Sequence, residues 1–247
     1  MSKVEIPYRG RFRKIEWVGG NTKADKSILQ GGEFLIPFCE WGDLSEIQGE
    51  DPDVLTSPIM QKAYLRVLDT HIKGRDIALF SLCTATRPYS SSRKWKKYIE
   101  TFEKECDLII CSNGGIIPIE YEAQFPYLNY DAHGQKKHDS LYIKIGIERM
   151  KQFLTLHPYR FVIFNFRHTL RNVHIAEVVS KWAVEHGYIQ NFIILPTKAQ
   201  YVQSQGEGFT RKGYSIYPEL WPTMFNPLVE KVKEWGEIIQ KEVLYDN

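Results

Sequence analysis

Residues 77–83 read Ile77-Ala78-Leu79-Phe80-Ser81-Leu82-Cys83 and pass straight into Thr84-Ala85-Thr86-Arg87-Pro88-Tyr89-Ser90-Ser91-Ser92-Arg93. A short apolar run ended by turn-forming residues suits a strand buried on both faces, as in a parallel sheet. Leu108–Ser112 and Phe161–Phe166 repeat the pattern, and Phe192–Leu195 is a candidate fourth strand. Helical stretches lie between them: Lys94–Lys104, Leu141–Leu154 and Val173–His186. Upstream, Pro58–His71 places Ile59, Ala63, Tyr64, Val67 and Leu68 on one helical face, and Leu228–Lys241 reads as a closing amphipathic helix. Strands alternating with helices in this way predict an α/β fold, a mainly parallel, Rossmann-like sheet flanked by helices.

The first fifty residues have a different texture. Gly19-Gly20-Asn21 and Gly31-Gly32 punctuate short runs such as Glu33–Phe38, which suggests small strands and turns. The expected organisation is therefore an N-terminal extension over residues 1–52 and an α/β core over residues 53–247. A chain of 247 residues, 43% hydrophobic, buries a sizeable core without a covalent staple. Its net charge of +2 lacks the global basic signature of an electrostatic nucleic-acid binder, so any such surface is local. Two basic segments qualify: residues 1–26 hold seven Lys and Arg against three acids, and residues 87–104 hold six against two. Each reads equally as a solvated face. The start lacks the apolar run of a signal peptide, and no stretch reaches the roughly 18 apolar residues of a membrane span. A cytoplasmic protein is the expectation, with Cys39, Cys83, Cys106 and Cys111 as free thiols, because they form no metal-type CxxC pair.

Ligands of open parallel sheets bind beyond the carboxyl ends of the strands. That rule selects three loops, starting at Cys83, Ser112 and Phe166. Cys83 at a strand end, near Arg87 and Arg93, is placed for nucleophilic chemistry, or it is a buried strand-end thiol. Ser90, Ser92 and Arg93 can cap the next helix or hold an anion at its start. In the second loop, Asn113-Gly114-Gly115 allows close approach of a flat ligand, or it is a plain strand-to-helix turn. Downstream, Tyr127, Tyr130 and Asp131 combine aromatic faces with a carboxylate. The third loop, Asn165-Phe166-Arg167-His168, reaches the same edge or caps the following helix.

Taken together, these motifs resemble the core of archaeosine synthase. Leu82-Cys83-Thr84-x-x-Arg87-Pro88-Tyr89-Ser90-x-Ser92 is similar to that family's Pro-Cys-Ser leader followed by Lys-Pro-Tyr-Ser and a further serine. Ser112-Asn113-Gly114-Gly115-Ile116-Ile117-Pro118-x-Glu120 looks like its second motif, and Pro126-x-x-x-Tyr130-Asp131 like its closing Tyr-Asp. The resemblance covers residues 55–135. The departures are Leu82 for proline, Arg87 for lysine and Lys94-Trp95 for Ser-His.

What the resemblance implies is an enzyme that adds an amine, free lysine in the family, to the nitrile of 7-cyano-7-deazaguanine in tRNA. A partner radical enzyme acts later in the family, and a separate RNA-binding subunit is a further implied partner. The implied catalytic residues are Cys83, Asp131 and Glu120. Implied substrate contacts are Arg87, Tyr89, Ser90, Ser92, Arg93, Asn113, Gly114, Gly115, Tyr127 and Tyr130. This chemistry needs no metal and no cofactor. The competing expectations are a non-catalytic subunit that binds nucleic acid or a modified base, and a related enzyme acting on DNA or a free base.

Overall fold

In the computed structural model, the described residues are 17–18, 21–22, 48–84, 86–122, 124, 126–127, 130–133, 139–167, 170–204 and 218–245. Most of the expected N-terminal extension, including most of its basic segment, lies outside them. Within it, Trp17–Val18 (β1) pairs antiparallel with Asn21–Thr22 (β2).

A five-stranded sheet forms the centre. Its strands are Ile77–Leu82 (β4), Cys106–Ser112 (β5), Gly115–Pro118 (β6), Phe161–Asn165 (β8) and Asn191–Leu195 (β9), in the order β6-β5-β4-β8-β9. Four of them run parallel, and β6 returns antiparallel along β5. The apolar runs of the sequence are these parallel strands to within two residues at each end. Every residue of β8 is buried, as is all of β4 but Leu82, which is why neither strand shows polar alternation.

The helices fall on both faces. Asp51–Thr56 (α1) leads into Pro58–Thr70 (α2), where Ser57 Oγ accepts the Met60 amide at 3.3 Å and Pro58 occupies the first turn, a strong start signal. Arg93–Phe102 (α3) starts the same way, with Ser92 Oγ accepting from Trp95 at 3.2 Å. Asp139–Leu156 (α4), Leu170–Glu185 (α5), Lys198–Ser204 (α6) and Pro222–Tyr245 (α7) complete the set.

Alternation along β8 sorts the helices between the faces. Phe161 stacks on Trp235 of α7, and Asn165, on the same side, takes a hydrogen bond from Tyr98 of α3. Phe164 points the other way, stacking on Phe80, which meets Phe153 of α4. The helix after β8, α5, packs on α4 through Ile175 against Gly146, so the segments after β4 and after β8 leave toward opposite faces, which makes the gap between these two strand ends a topological switch point.

Two features lie outside the alternating pattern. Asn113-Gly114 is a two-residue hairpin turn between Ser112 and Gly115, so the second loop starts no helix. Gly115 has φ +118°, a conformation other residues avoid. In addition, Gln48–Glu50 (β3) pairs in parallel with Asp131–His133 (β7), tying the segment before residue 52 to the core.

Gly114 is a packing position. A Cβ built there would lie 2.9 Å from Met60 Cε and 2.9 Å from the Tyr130 ring. Met60 can swing aside, but the buried Tyr130 ring is held by its own hydrogen bond to Tyr89. Gly114→Ala should therefore cost about 1–3 kcal/mol, as other over-packed cores do. Urea unfolding measures this, and a variant as stable as wild type would contradict the close approach.

Candidate functional site

A small cavity open to solvent sits at the switch point. Leu82, Cys111, Ser112 and Phe166 line it from the strand ends, and Arg149 and Met150 from α4. Its position follows from topology: chains turning to opposite faces leave the carboxyl edge uncovered between β4 and β8.

The three motif segments meet beside this edge. Cys83, half-buried, continues the β4 ladder by donating its amide to Cys111 O at 2.9 Å. The Tyr89 and Tyr130 hydroxyls share a hydrogen bond of 2.7 Å, Tyr130 closes on Gly114, and Arg87 Nε donates to Tyr89 at 3.3 Å. The Arg87 guanidinium lies 3.9 Å from the centre of the Tyr130 ring, covering one of its faces. Both rings are fully buried, and burial pushes the Tyr89 phenol well above its ordinary range. Tyr127 is likewise buried, and its hydroxyl has no partner among the described residues.

The serines divide their tasks. Ser90 donates its amide to Glu122 Oε2 at 2.7 Å, Ser91 Oγ donates to Pro88 O, and Ser92 caps α3. Arg93 is exposed and lines an open groove with Ser91, Lys96, Lys97, Glu100 and Leu220. Asn113 is half-exposed in the hairpin turn. Asp131 begins β7 next to Tyr130, but its carboxyl lies outside the described side chains.

Glu120 is brought elsewhere. Because β6 runs back along β5, the turn Ile119–Tyr121 reaches toward the amino end of the sheet. There Glu120 Oε1 meets His71 Nδ1 at 2.6 Å, His71 Nε2 meets the Tyr159 hydroxyl at 3.0 Å, and that hydroxyl donates to Asp107 at 3.0 Å. The structure thus separates Glu120 from Cys83 by the length of the strands. The buried acid near the first loop is Glu122, a residue the motif pattern does not mark.

Two further groups were not legible as site residues. Lys94, 1% exposed, donates to Leu82 O at 2.8 Å and lies 3.9 Å from Glu219 Oε1, which also accepts from Arg167 at 2.9 Å. Burial pushes the Lys94 ammonium below the ordinary lysine range, while Glu219 and then Cys83 pull it back up. Burial would raise the Glu219 carboxyl, but Lys94 and Arg167 outweigh it and hold it below the usual range. Glu219 Oε2 and Asn165 Nδ2, both buried, have no partner among the described residues. The sequence carries a signal for Lys94: it is four residues before Tyr98, on the buried stripe of α3 with Trp95 and Phe102. Glu219 carries none. The second group is Arg149, buried on α4 three residues after Gly146 and four before Phe153, where the helical period calls for an apolar side chain.

A family model described as "Domain of unknown function (DUF5591)" matches residues 61–191, just over half of the chain. The chain belongs to the DUF5591 family. The DUF5591 match starts inside α2 and ends at the first residue of β9, so it takes in the loops after β4, β5 and β8. Among solved structures, the crystal structure of AF0587, a protein of unknown function, is similar at 19% identity and a TM-score of 0.41. That match covers 55% of this chain and 43% of the other, so the DUF5591 chain spans less than half of that protein. No curated protein matches it. No helix among the described residues is long and apolar enough to cross a membrane.

Glu219→Gln should destabilise the fold strongly, by roughly 3–5 kcal/mol, because it leaves Lys94 buried without its counter-charge. Adding Lys94→Met should recover much of the loss in denaturant unfolding, and equal stability of all three proteins would show the pair to be inert. Glu122 predicts a pH dependence. Burial raises its carboxyl above the usual 4.5, and the hydrogen bond from Ser90 only partly offsets this. Its contribution to stability is therefore full below the unfolded-state value and is lost as pH rises through the folded-state value. Glu122→Gln keeps an acceptor for Ser90, so wild-type stability should fall relative to the variant as pH rises above the ordinary carboxyl value of 4.5. Parallel pH profiles would contradict this.

Proposed function

We propose that this DUF5591 protein adds the amine of a small donor, lysine by the family resemblance, to the nitrile carbon of 7-cyano-7-deazaguanine in tRNA. The observation that carries the reading is convergence. The three motif segments, Glu120 apart, come to one sheet edge, beside a cavity at the switch point.

The reaction is an addition. The amine lone pair forms a C–N bond to the nitrile carbon, one N–H proton ends on the nitrile nitrogen, and no group leaves. An ammonium donor must first lose a proton, and the product is an amidine. Proximity and acid–base help are the main demands. Asp131 is assigned the proton-handling role. Cys83, at the strand end beside the cavity, either stays unreacted or adds its S–H across the nitrile, giving a thioimidate from which the amine displaces the thiol again. Lys94, whose ammonium donates to Leu82 O beside Cys83, is a cation placed to support either route electrostatically.

The groove of Arg93, Lys96 and Lys97 supports the nucleic-acid part of the reading, since clustered cations at a helix start attract phosphate. It also favours a second reading, a subunit that binds nucleic acid without catalysis.

Wild-type protein incubated with lysine and tRNA bearing the cyano base should give an adduct of increased base mass in mass spectrometry. Asp131→Asn should lower turnover far more than base binding. Cys83→Ala abolishes adduct on the covalent route and slows it modestly on the direct one. Salt-sensitive tRNA binding with no adduct from wild type would replace the enzyme by the binding subunit.

A further inference from the structure

Arg149 is a buried cation with no counter-ion among the described residues. Its side chain, in a residue only 4% exposed, donates through Nη2 to Leu55 O at 2.5 Å and lies 4.6 Å from the centre of the Tyr64 ring. Its Nη1 is buried and has no hydrogen-bond partner among the described residues. Leaving such a group unpaired is costly, and it is tolerated where a ligand completes it. Arg149 also lines the switch-point cavity.

The surroundings keep Nη1 open. Gly115 faces it, and a Cβ there would stand 3.0 Å from Nη1, so the left-handed glycine that closes the hairpin also leaves the guanidinium bare. The rest of the lining sets an apolar wall of Leu55, Leu82, Ile116, Met150 and Ile175 beside the neutral polar side chains of Ser112, Tyr142 and Asn172. Among the described residues it holds no acid and no second Lys or Arg. A phosphate monoester brings close to two charges and three acceptor oxygens, which one guanidinium does not satisfy. A carboxylate brings one charge, and its planar oxygens suit the guanidinium fork. An aliphatic stem would then bury its methylenes on the apolar wall.

We propose that the cavity binds a small aliphatic carboxylate, whose oxygens accept a hydrogen bond from Arg149 Nη1. Insofar as the ligand is the amine donor, this rests on the reaction proposed above. The Arg149 site then anchors the donor's acid end, the stem runs along Leu82 and Ile116, and the reacting amine lies toward the strand end that carries Cys83. Arg149 is on this view a positioning residue that sets which amines are used.

The test measures binding without any nucleobase, by ligand-observed NMR, with hexanoate, lysine, cadaverine and inorganic phosphate as probes. Hexanoate and lysine should bind saturably, and cadaverine, which lacks the carboxylate, should not. Arg149→Met should weaken hexanoate roughly tenfold or more, as loss of a charge-assisted hydrogen bond does. Ile175→Phe, which fills the apolar wall and leaves Arg149 in place, should weaken it too, and serves if Arg149→Met does not fold. Phosphate binding better than hexanoate, or cadaverine binding equally well, overturns the carboxylate assignment. The two proposals fail separately. Carboxylate binding with no adduct on cyano-base tRNA removes the reaction and keeps this site. Adduct formed as readily from cadaverine as from lysine, and unchanged in Arg149→Met, keeps the reaction and removes this site.

Discussion

Strand β4 is hydrogen-bonded along both edges, to β5 and to β8, and everything at the site depends on that double pairing. It fixes the height at which β4, β5 and β8 end, so that Ile110, Ser81 and Asn165 stand in a row. The chain then leaves β4 for one face and β8 for the other, and neither helix covers the gap. The site is thus a by-product of chain direction, while the residues around it decide its chemistry.

Buried charge is handled in two ways on the two sides of this edge. On the α3 side, Lys94 and Arg167 converge on Glu219, so both cations there share a carboxylate partner. On the α4 side, Arg149 has a carbonyl and an aromatic face but no carboxylate among the described residues. The first arrangement reads as a brace between α3 and the segment before α7. The second is left open on the side that faces the cavity. A polar chain at the far end, from Glu120 through His71 and Tyr159 to Asp107, binds the amino ends of the strands and takes no part in either.

The aromatic motif residues do their visible work within the protein. Tyr89 and Tyr130 join the first and third motif segments by their hydroxyls, with Arg87 laid over Tyr130 and Gly114 beneath it. This knot holds the loop after β4 against the hairpin turn after β5. Rings that read as stacking platforms in a sequence are here the fasteners that bring the loops together.

Much of the architecture was written in local pattern. The uninterrupted apolar runs of β4, β5, β8 and β9, and the helical stripes between them, determined a parallel sheet with helices, because burial on both faces erases alternation and a helix on a core keeps its period. Ser57-Pro58 and Ser92 also carried their helix starts in plain view, whereas Asn113-Gly114, a ligand loop or a strand-to-helix turn in the sequence reading, closes a hairpin. What only the tertiary structure decided is which polar groups share a space. The antiparallel return of β6 sends Glu120 to the far end of the sheet, although it is only nine residues after Cys111. Lys94 and Glu219, 125 positions apart, become partners, and Arg149 faces Gly115 across the cavity. Sequence spacing reports the period of one element, whereas the meeting of charges from different elements depends on strand order and chain direction, which no local pattern encodes.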